Sequence, residues 1–187
     1  NSRKDTPDNF YWREKRVVTS VRDQSRCAYC WAFSAIQAQE STHAIATGEL
    51  LELSESNSID WCDNECKGCN GGWPNKALEF VIQQQNGRLN LLNEYAYYPM
   101  ERTCEFDQHN KVSHISEVIT QMYLIWIQSD NGFSHIAEGD EDCMKEHIAN
   151  VGPVSVCIDA SQASFQLYTS GIYSEKNCKK SHFSHAV

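Results

Sequence analysis

The segment DQSRCAYCWAFSAIQAQES, residues 23–41, places two cysteines three positions apart directly before a pattern typical of a helix. After Trp31, apolar residues recur at Phe33, Ile36 and Ala44 among good helix formers, and Gly48 is a natural stop. The sequence therefore predicts a long helix with a cysteine at its first turn, and this pairing restricts both the fold and the chemistry.

Three interpretations of Cys27 and Cys30 follow from the residues. A thioredoxin-like redox pair needs a βαβ context, and the strand signal upstream (RVVTSV) is weak. A zinc site would add Cys62, Cys66 and Cys69, which gives five sulfurs and no histidine at ligand spacing. In the third interpretation Cys30 is a nucleophile, because the free N–H groups and dipole of a helix start stabilise a thiolate. Cys27 would then be half of a bridge, and we prefer this interpretation.

The cysteine content and the charge limit the class of protein. Nine cysteines in 187 residues indicate disulfides made in an oxidising compartment, and the odd count leaves at least one without a partner in this chain. The net charge of -9 argues against a nucleic-acid backbone as partner. No apolar run approaches the roughly 18 residues of a membrane span. We therefore expect neither nucleic acid nor membrane as a partner.

The remaining patterns predict helices early in the chain and strands later. PNKALEFVIQQQNG (74–87) has a proline in the first turn and an apolar stripe, and DEDCMKEHIANVGP (140–153) begins with acidic residues and ends at Gly-Pro. MYLIWI (122–127), VSVCI (154–158) and SGIYS (170–174) are predicted strands. The sequence thus predicts an α+β protein with two unlike lobes.

Several segments resemble the papain-like cysteine peptidases. The segment at 21–34 matches that family's C-G-[SA]-C-[WY] signature at Cys27, Cys30 and Trp31, but has Ala28 and Tyr29 where glycine and a small residue are usual. Further matches follow in the family's order: LSES at 53–56, GCNGGWPNKALEFV at 68–81, GPVSVCIDASQASFQLYTSGIY at 152–173 and SHAV at 184–187. The chain looks most like the cathepsin L-like branch, including its protozoan members.

The resemblance implies a papain-like two-lobe α+β fold, a helical lobe and a β-barrel-like lobe with the active-site cleft between them. It makes residues 1–187 a single catalytic domain, with the helical lobe at about 15–115 and the β lobe at about 1–14 and 116–187. The family's histidine-orienting asparagine and last strands have no match here, so we expect this domain to be incomplete at the C-terminus.

The same comparison implies the catalytic roles. Cys30 would be the nucleophile, and His185 the base that keeps it a thiolate and protonates the leaving amine. Gln24 would act with the backbone N–H of Cys30 as an oxyanion-hole donor. We expect no metal and no cofactor. Ser184 stands where the family has aspartate or asparagine before the histidine, and Ser25 replaces a glycine, so the loop around it is expected to differ or be slightly strained.

Substrate-binding residues are implied in the same way. Glycines lining the cleft would let an extended peptide approach the backbone closely. An aromatic and apolar pocket would favour a bulky hydrophobic P2 side chain. The residues assigned to substrate binding are Gly71, Gly72, Trp73, Pro74, Cys157, Phe183 and Ser184.

The resemblance also pairs four of the cysteines as Cys27–Cys69 and Cys62–Cys104, each bridge stabilising the helical lobe by about 2–4 kcal/mol. Cys178 matches a cysteine whose partner lies further downstream in the family. Cys66, Cys143 and Cys157 have no assigned partner.

The predicted function is a cysteine endopeptidase that cleaves peptide bonds through an acyl-enzyme on Cys30. The alternative is an impaired papain-fold homologue that binds peptides or partners, which the substitutions at Ala28 and Tyr29 favour. We expect a monomer whose partners are peptide or protein substrates and propeptide or cystatin-like inhibitors. The expected location is a lysosome-like acidic vesicle or the extracellular space. Bulk at Ala28 and Tyr29 is expected beside the nucleophile, where the family keeps the S1 wall small.

Overall fold

The computed structural model describes residues 6–60, 66–109, 113–114, 125–129, 132–179 and 182–187. Within these ranges the α-helices are α1 (Cys30–Thr47), α2 (Ser56–Ile59), α3 (Pro74–Gln84), α4 (Glu141–Asn150) and α5 (Ala163–Gln166). The strands are β1 (Arg88–Leu89), β2 (Ser113–His114), β3 (Ile125–Ser129), β4 (Gly132–Ile136), β5 (Ser155–Ile158) and β6 (His185–Ala186).

Helix α1 runs through the middle of the described fold. Residues 31–36 and 38–41 are all buried, so the helix has no solvent-facing stripe over most of its length. A helix buried on every side must be covered by other elements. Helix α3 packs against it and α2 packs against α3, and strands β3, β5 and β6 also contact α1.

The core lies between α1 and the segments that follow it. Trp31 and Ile36 of α1 pack in one cluster with Leu53, Leu78 of α3 and Leu89 of β1, all of them at most 1% exposed. Burying a side chain of this size stabilises a fold by about 1.5–3 kcal/mol. This cluster therefore fixes the helix that begins at Cys30 to the rest of the helical half.

The sheet has the strand order β4-β3-β5-β6, with antiparallel pairing throughout. The last strand pairs Cys157 with Ala186 and Ile158 with His185. Backbone bonds between Val156 and Val187 extend this ladder to the last residue. The sheet thereby places the strand that contains His185 next to α1.

One hydroxyl joins α1 to the sheet. Ser34, one turn after Cys30, donates to the carbonyl of Val187 over 2.7 Å. Its oxygen also lies 2.5 Å from the hydroxyl of Ser155 on β5, which must be the donor in that pair because Ser34 has already used its proton. The helix bearing Cys30 and the strand bearing His185 are therefore held by direct hydrogen bonds.

Buried charges form a second anchor. The Arg22 guanidinium contacts Glu40 at 2.6 Å and Glu55 at 2.5 Å, and both carboxylates are completely buried. Thr19 and the backbone N–H of Leu53 donate to Glu40 as well, each over 2.6 Å. Two carboxylates thus share one guanidinium, with excess negative charge inside the fold.

The three predicted helices are confirmed as α1, α3 and α4. The predicted strand at 154–158 is confirmed as β5, but SGIYS at 170–174 is not a strand. That segment has an exposed Ile172 and a left-handed Gly171, with φ of 90°, so no ladder forms there. Of MYLIWI, residues 122–124 lie outside the described residues, and 125–127 belong to β3.

Of the two expected disulfides, one is present in the structure. Cys27 and Cys69 are bridged, with their Cα atoms 4.5 Å apart. Cys104 is a free thiol whose sulfur accepts from the backbone N–H of Phe106, so the expected pairing of Cys104 with Cys62 is not formed, and Cys62 lies outside the described residues. Cys66, which had no assigned partner, is disulfide-bonded.

Candidate active site

Cys30 is the first residue of α1. Its predecessor Tyr29 is the N-cap residue and makes no side-chain hydrogen bond to the first turn. The N–H groups of Ala32 and Phe33 bond back to the Tyr29 carbonyl. The thiol of Cys30 is partly exposed at the positive end of an 18-residue helix, where an anion is stabilised.

The loop before α1 is strained at Ser25, as expected for a residue that replaces a glycine. This residue adopts a left-handed conformation, with φ of 58°, that glycine would adopt without strain. Its N–H donates to Asp23 Oδ1 over 2.7 Å, which offsets part of that cost. Gln24 then directs its amide toward the next turn of the loop, donating from Nε2 to the Cys27 carbonyl over 3.0 Å.

A cavity of about 500 Å³ lies between the loop, α1 and the end of the sheet. Gln24, Cys30 and His185 all line it. The three residues come from a loop, a helix start and a strand that are far apart in sequence, yet they face one space. The structure therefore brings together all three predicted catalytic residues.

His185 is half-buried against the wall of this cavity. The ring of Phe165 on α5 meets it edge-on at 6.5 Å between centroids. Burial lowers the pKa of His185 below its ordinary value, because a charged imidazolium loses hydration there. A thiolate partner acts in the opposite direction, since a nearby negative charge favours the protonated ring.

The neighbouring glycines Gly71 and Gly72, both expected to bind substrate, are each favoured at their position by a different feature of the fold. Gly71 has φ of 106°, a conformation that other residues adopt only with strain. Gly72 has no such φ, but a Cβ on it would lie 2.8 Å from Cδ2 and Cε2 of the buried Trp31 indole. The backbone at Gly72 therefore rests directly on the side chain that follows Cys30.

Comparison with known proteins decides the family. The sequence profile described as Papain family cysteine protease matches residues 6–187. This chain belongs to the papain family of cysteine proteases.

Papain-family relatives are similar along nearly the whole chain. Cathepsin L of Sarcophaga peregrina is 39% identical over 183 residues, which is 97% of this chain and 49% of that protein. Cathepsin L2 of Homo sapiens is 36% identical over 184 residues, 98% of this chain and 50% of that protein. The chain thus spans about half the length of the curated relatives it matches.

Solved papain-family structures confirm the expected α+β two-lobe fold. The digestive procathepsin L2 proteinase from Tenebrio molitor larval midgut superposes with a TM-score of 0.83 at 30% identity, covering 100% of this chain and 54% of that one. The Carica candamarcensis cysteine protease CMS1MS2, solved in complex with E-64, gives a TM-score of 0.75 at 31% identity, covering 96% of this chain and 75% of that one.

Tyr29, which departs from the papain-family signature, does not crowd the site as expected. Its side chain is completely buried, and its ring meets Trp31 edge-on at 6.4 Å between centroids. Its hydroxyl lies 3.2 Å from Cys69 Sγ and must be the donor, because a bridged sulfur carries no proton. The extra bulk therefore fills the helical lobe, and Ala28 is the exposed neighbour of Cys30.

The other residues expected to bind substrate are not among those that line the cavity. Trp73 and Phe183 are exposed, and Pro74 is buried as the first residue of α3. The half-buried Cys157 has its pKa raised by burial and, to a smaller extent, by the nearby Cys30. Ser184 lines a neighbouring groove with His185, and its hydroxyl accepts from the N–H of Ala160 over 3.0 Å.

Neither a metal cluster nor a spanning helix occurs in the part of the chain that the structure describes. No three or more histidine, cysteine or acidic side chains are grouped there as ligands for an ion. Nor is any helix there both long and apolar enough to cross a bilayer.

Two residues near the site carried no signal in the sequence. Ser34 is one of many small residues in α1, and Tyr97 stands in the aromatic segment EYAYYPM (94–100) without a recognisable motif. Both act through contacts with residues distant in sequence, at Val187 and Gln24. Such pairings depend on the folded chain and leave no local pattern.

Proposed function

We propose that the protein carrying this chain is a cysteine endopeptidase that hydrolyses peptide bonds through an acyl-enzyme on Cys30. The observation that carries the proposal is the single cavity lined by Gln24, Cys30 and His185 in a papain-family chain. A nucleophile at a helix start, an imidazole and an amide donor are the groups that acyl transfer requires.

Each group has a defined role in the proposed reaction. His185 accepts the proton of Cys30, and the thiolate attacks the carbonyl carbon of the scissile bond. The oxyanion receives hydrogen bonds from the Cys30 backbone N–H and from Gln24, whose amide has a second N–H besides the one donated to Cys27. The imidazolium then protonates the leaving amine, and water hydrolyses the thioester.

Thiol labelling tests this proposal against the alternative of a non-catalytic binding protein. An epoxide peptide probe, applied to the natural gene product between about pH 4 and 8, should modify Cys30 stoichiometrically, because a thiolate held beside an imidazolium reacts faster than ordinary thiols. Cys143 is free and exposed, so it serves as an internal control within the same molecule. Labelling that follows exposure, with Cys30 no faster than Cys143, would support the binding protein.

The proposed substrate preference is a bulky hydrophobic side chain at P2. The walls would be Trp73 and Pro74 on one side and Cys157 and Phe183 on the other, with Gly71 and Gly72 pairing with the peptide backbone. Cleavage of a P2-varied peptide library measures this preference. Best cleavage after acidic or basic P2 residues would contradict it.

The proposed lobe boundaries are about 15–115 for the helical lobe and about 1–14 with 116–187 for the β lobe. The Trp12 indole donates to the Ile148 carbonyl over 2.7 Å, which supports placing the N-terminal segment with α4. We further propose a monomer that is inhibited by its propeptide or by cystatin-like proteins, in an acidic vesicle or outside the cell. The similar solved structures include two procathepsins and an E-64 complex, and they support the propeptide and the inhibitor-accessible cleft.

A further inference from the structure

Tyr97 connects the loop that bears Gln24 to the core of the helical lobe. Its hydroxyl donates to the backbone carbonyl of Gln24 over 2.6 Å, although 73 residues separate the two in sequence. The acceptor belongs to the residue whose side chain is the proposed oxyanion donor. A shift of this bond would therefore move the donor itself.

The ring of Tyr97 contacts one residue that precedes Cys30 and one residue that follows it. Its centroid lies 6.3 Å from that of Tyr29, which precedes Cys30, and 4.9 Å from that of Phe33, on the first turn of α1, and both contacts are edge-on. Edge-to-face pairs of this kind favour one ring orientation. One side chain thus contacts the start of the nucleophile helix with its ring and the oxyanion loop with its hydroxyl.

The loop at 23–26 needs such an anchor in its middle. The Arg22 guanidinium fixes one end by bonds to Glu55 and to the Leu53 carbonyl, and the Cys27–Cys69 bridge fixes the other. Between them, Asp23, Ser25 and Arg26 are exposed, and the bonds of Ser25 and of the Gln24 amide are made within the loop. Those bonds shape the loop, whereas the Tyr97 bond attaches its centre to the lobe.

We propose that Tyr97 is a positioning residue that holds Gln24 in register with the Cys30 thiol, so that the amide and the Cys30 N–H donate to the same oxyanion. The inference rests on the proposed function and adds a residue to it. Oxyanion donors act at about 2.7–3.1 Å from the developing charge, and a misplacement of about 1 Å can cost about 100-fold in rate.

The Tyr97 hydroxyl keeps its proton, and so remains a donor, over the pH range in which a cysteine peptidase works. Burial, with smaller contributions from Tyr29, Glu55 and Asp23, raises the pKa of Tyr97 to about 12. The bond to Gln24 therefore does not titrate where the thiolate and imidazolium form.

The test is Tyr97→Phe in the active natural gene product, because it removes the hydroxyl and keeps the ring. We expect kcat for a peptide amide to fall about 10-fold with KM within about 2-fold, since an oxyanion donor acts in the transition state. Alkylation of Cys30 by iodoacetamide needs no oxyanion hole, so its rate should stay within about 2-fold. Tyr98→Phe is the matched control: its ring is exposed under the Arg102 guanidinium, 4.0 Å from the centroid.

Repeating the Tyr97→Phe substitution in a Gln24→Ala variant tests whether Tyr97 acts through Gln24. In a Gln24→Ala variant, Tyr97→Phe should lower kcat by no more than about 2-fold further, because residues that act as a unit are not additive. An unchanged kcat in Tyr97→Phe, a parallel loss of alkylation rate, or a full additional loss in the Gln24→Ala background would each overturn the inference. Absence of hydrolysis and of Cys30 alkylation in the unmodified protein would instead contradict the proposed function.

Discussion

The direction that a side chain takes at this site depends on the residues against which it packs. Tyr29 is a large departure from the family signature at sequence level and yet leaves the cleft open, because its ring turns into the helical lobe. The signature residue at that position is small, so the sequence alone suggested crowding. The direction of the side chain depends on the space available beside Trp31 and Tyr97, which no local pattern records.

Gly72 gives the first prediction at this scale. Gly72→Ala would press a methyl group against the buried Trp31 indole, and overpacking of this kind costs about 1–3 kcal/mol of unfolding free energy. Denaturant unfolding measures the loss. In a Trp31→Phe background the smaller ring should relieve part of it, so the two changes should be coupled in a double-mutant cycle. Equal losses from Gly72→Ala in both backgrounds would contradict the contact.

Helix α4 carries a prediction at the scale of an element. Asp140 is its N-cap residue, and Oδ1 accepts from the Cys143 N–H over 2.9 Å. Asp140→Ala should lower the unfolding free energy by about 1 kcal/mol, whereas Asp140→Asn should retain most of it because asparagine caps equally well. Urea unfolding of the two variants checks this. A similar loss in both would show that the charge, and not the capping bond, stabilises the helix.

Local signals predicted the helices and failed for one strand. The helices α1, α3 and α4 were predictable because their apolar spacing and end residues lie within the segment itself. A strand needs a partner from elsewhere, and SGIYS at 170–174 has none in the described fold. Motifs identified the candidate nucleophile, imidazole and amide, whereas no motif identified Tyr97 or Ser34, because each of these two contacts a residue more than 70 positions away.

The buried charges give a prediction for the whole molecule. Burial raises the pKa of Glu40 and of Glu55 above 4.5, and the shared Arg22 only partly opposes this. The folded state therefore holds a proton more tightly than the unfolded chain. The contribution to stability is fully present below the unfolded pKa near 4.5 and is lost as the pH rises through the higher folded pKa. We expect this contribution to the unfolding free energy to fall as the pH rises above about 5. Burial lowers the pKa of His147 and of His185, and these two groups act in the opposite direction, because each binds protons less tightly in the folded state than in the unfolded chain.

Glu55→Gln tests this contribution, because the amide does not titrate. From pH 5 to pH 7, the unfolding free energy of this variant should rise relative to that of the unmodified protein, because the variant lacks the part of the decrease that comes from Glu55. Glu79→Gln removes one negative charge from α3, where Glu79 pairs with Lys76 at 2.8 Å, and serves as the charge-matched control. An identical pH slope in the Glu55→Gln variant and the unmodified protein would exclude these carboxylates as its source.

The contact between Gly72 and Trp31 also affects which positions of the chain can tolerate single substitutions. A side chain at Gly72 would press on a buried indole, so a single substitution there costs folding stability unless Trp31 changes as well. Trp73 and Phe183 are exposed and meet no such barrier. Single substitutions at Trp73 and Phe183 should therefore accumulate with little loss of folding stability, whereas Gly72 and Trp31 can change only together without such a loss.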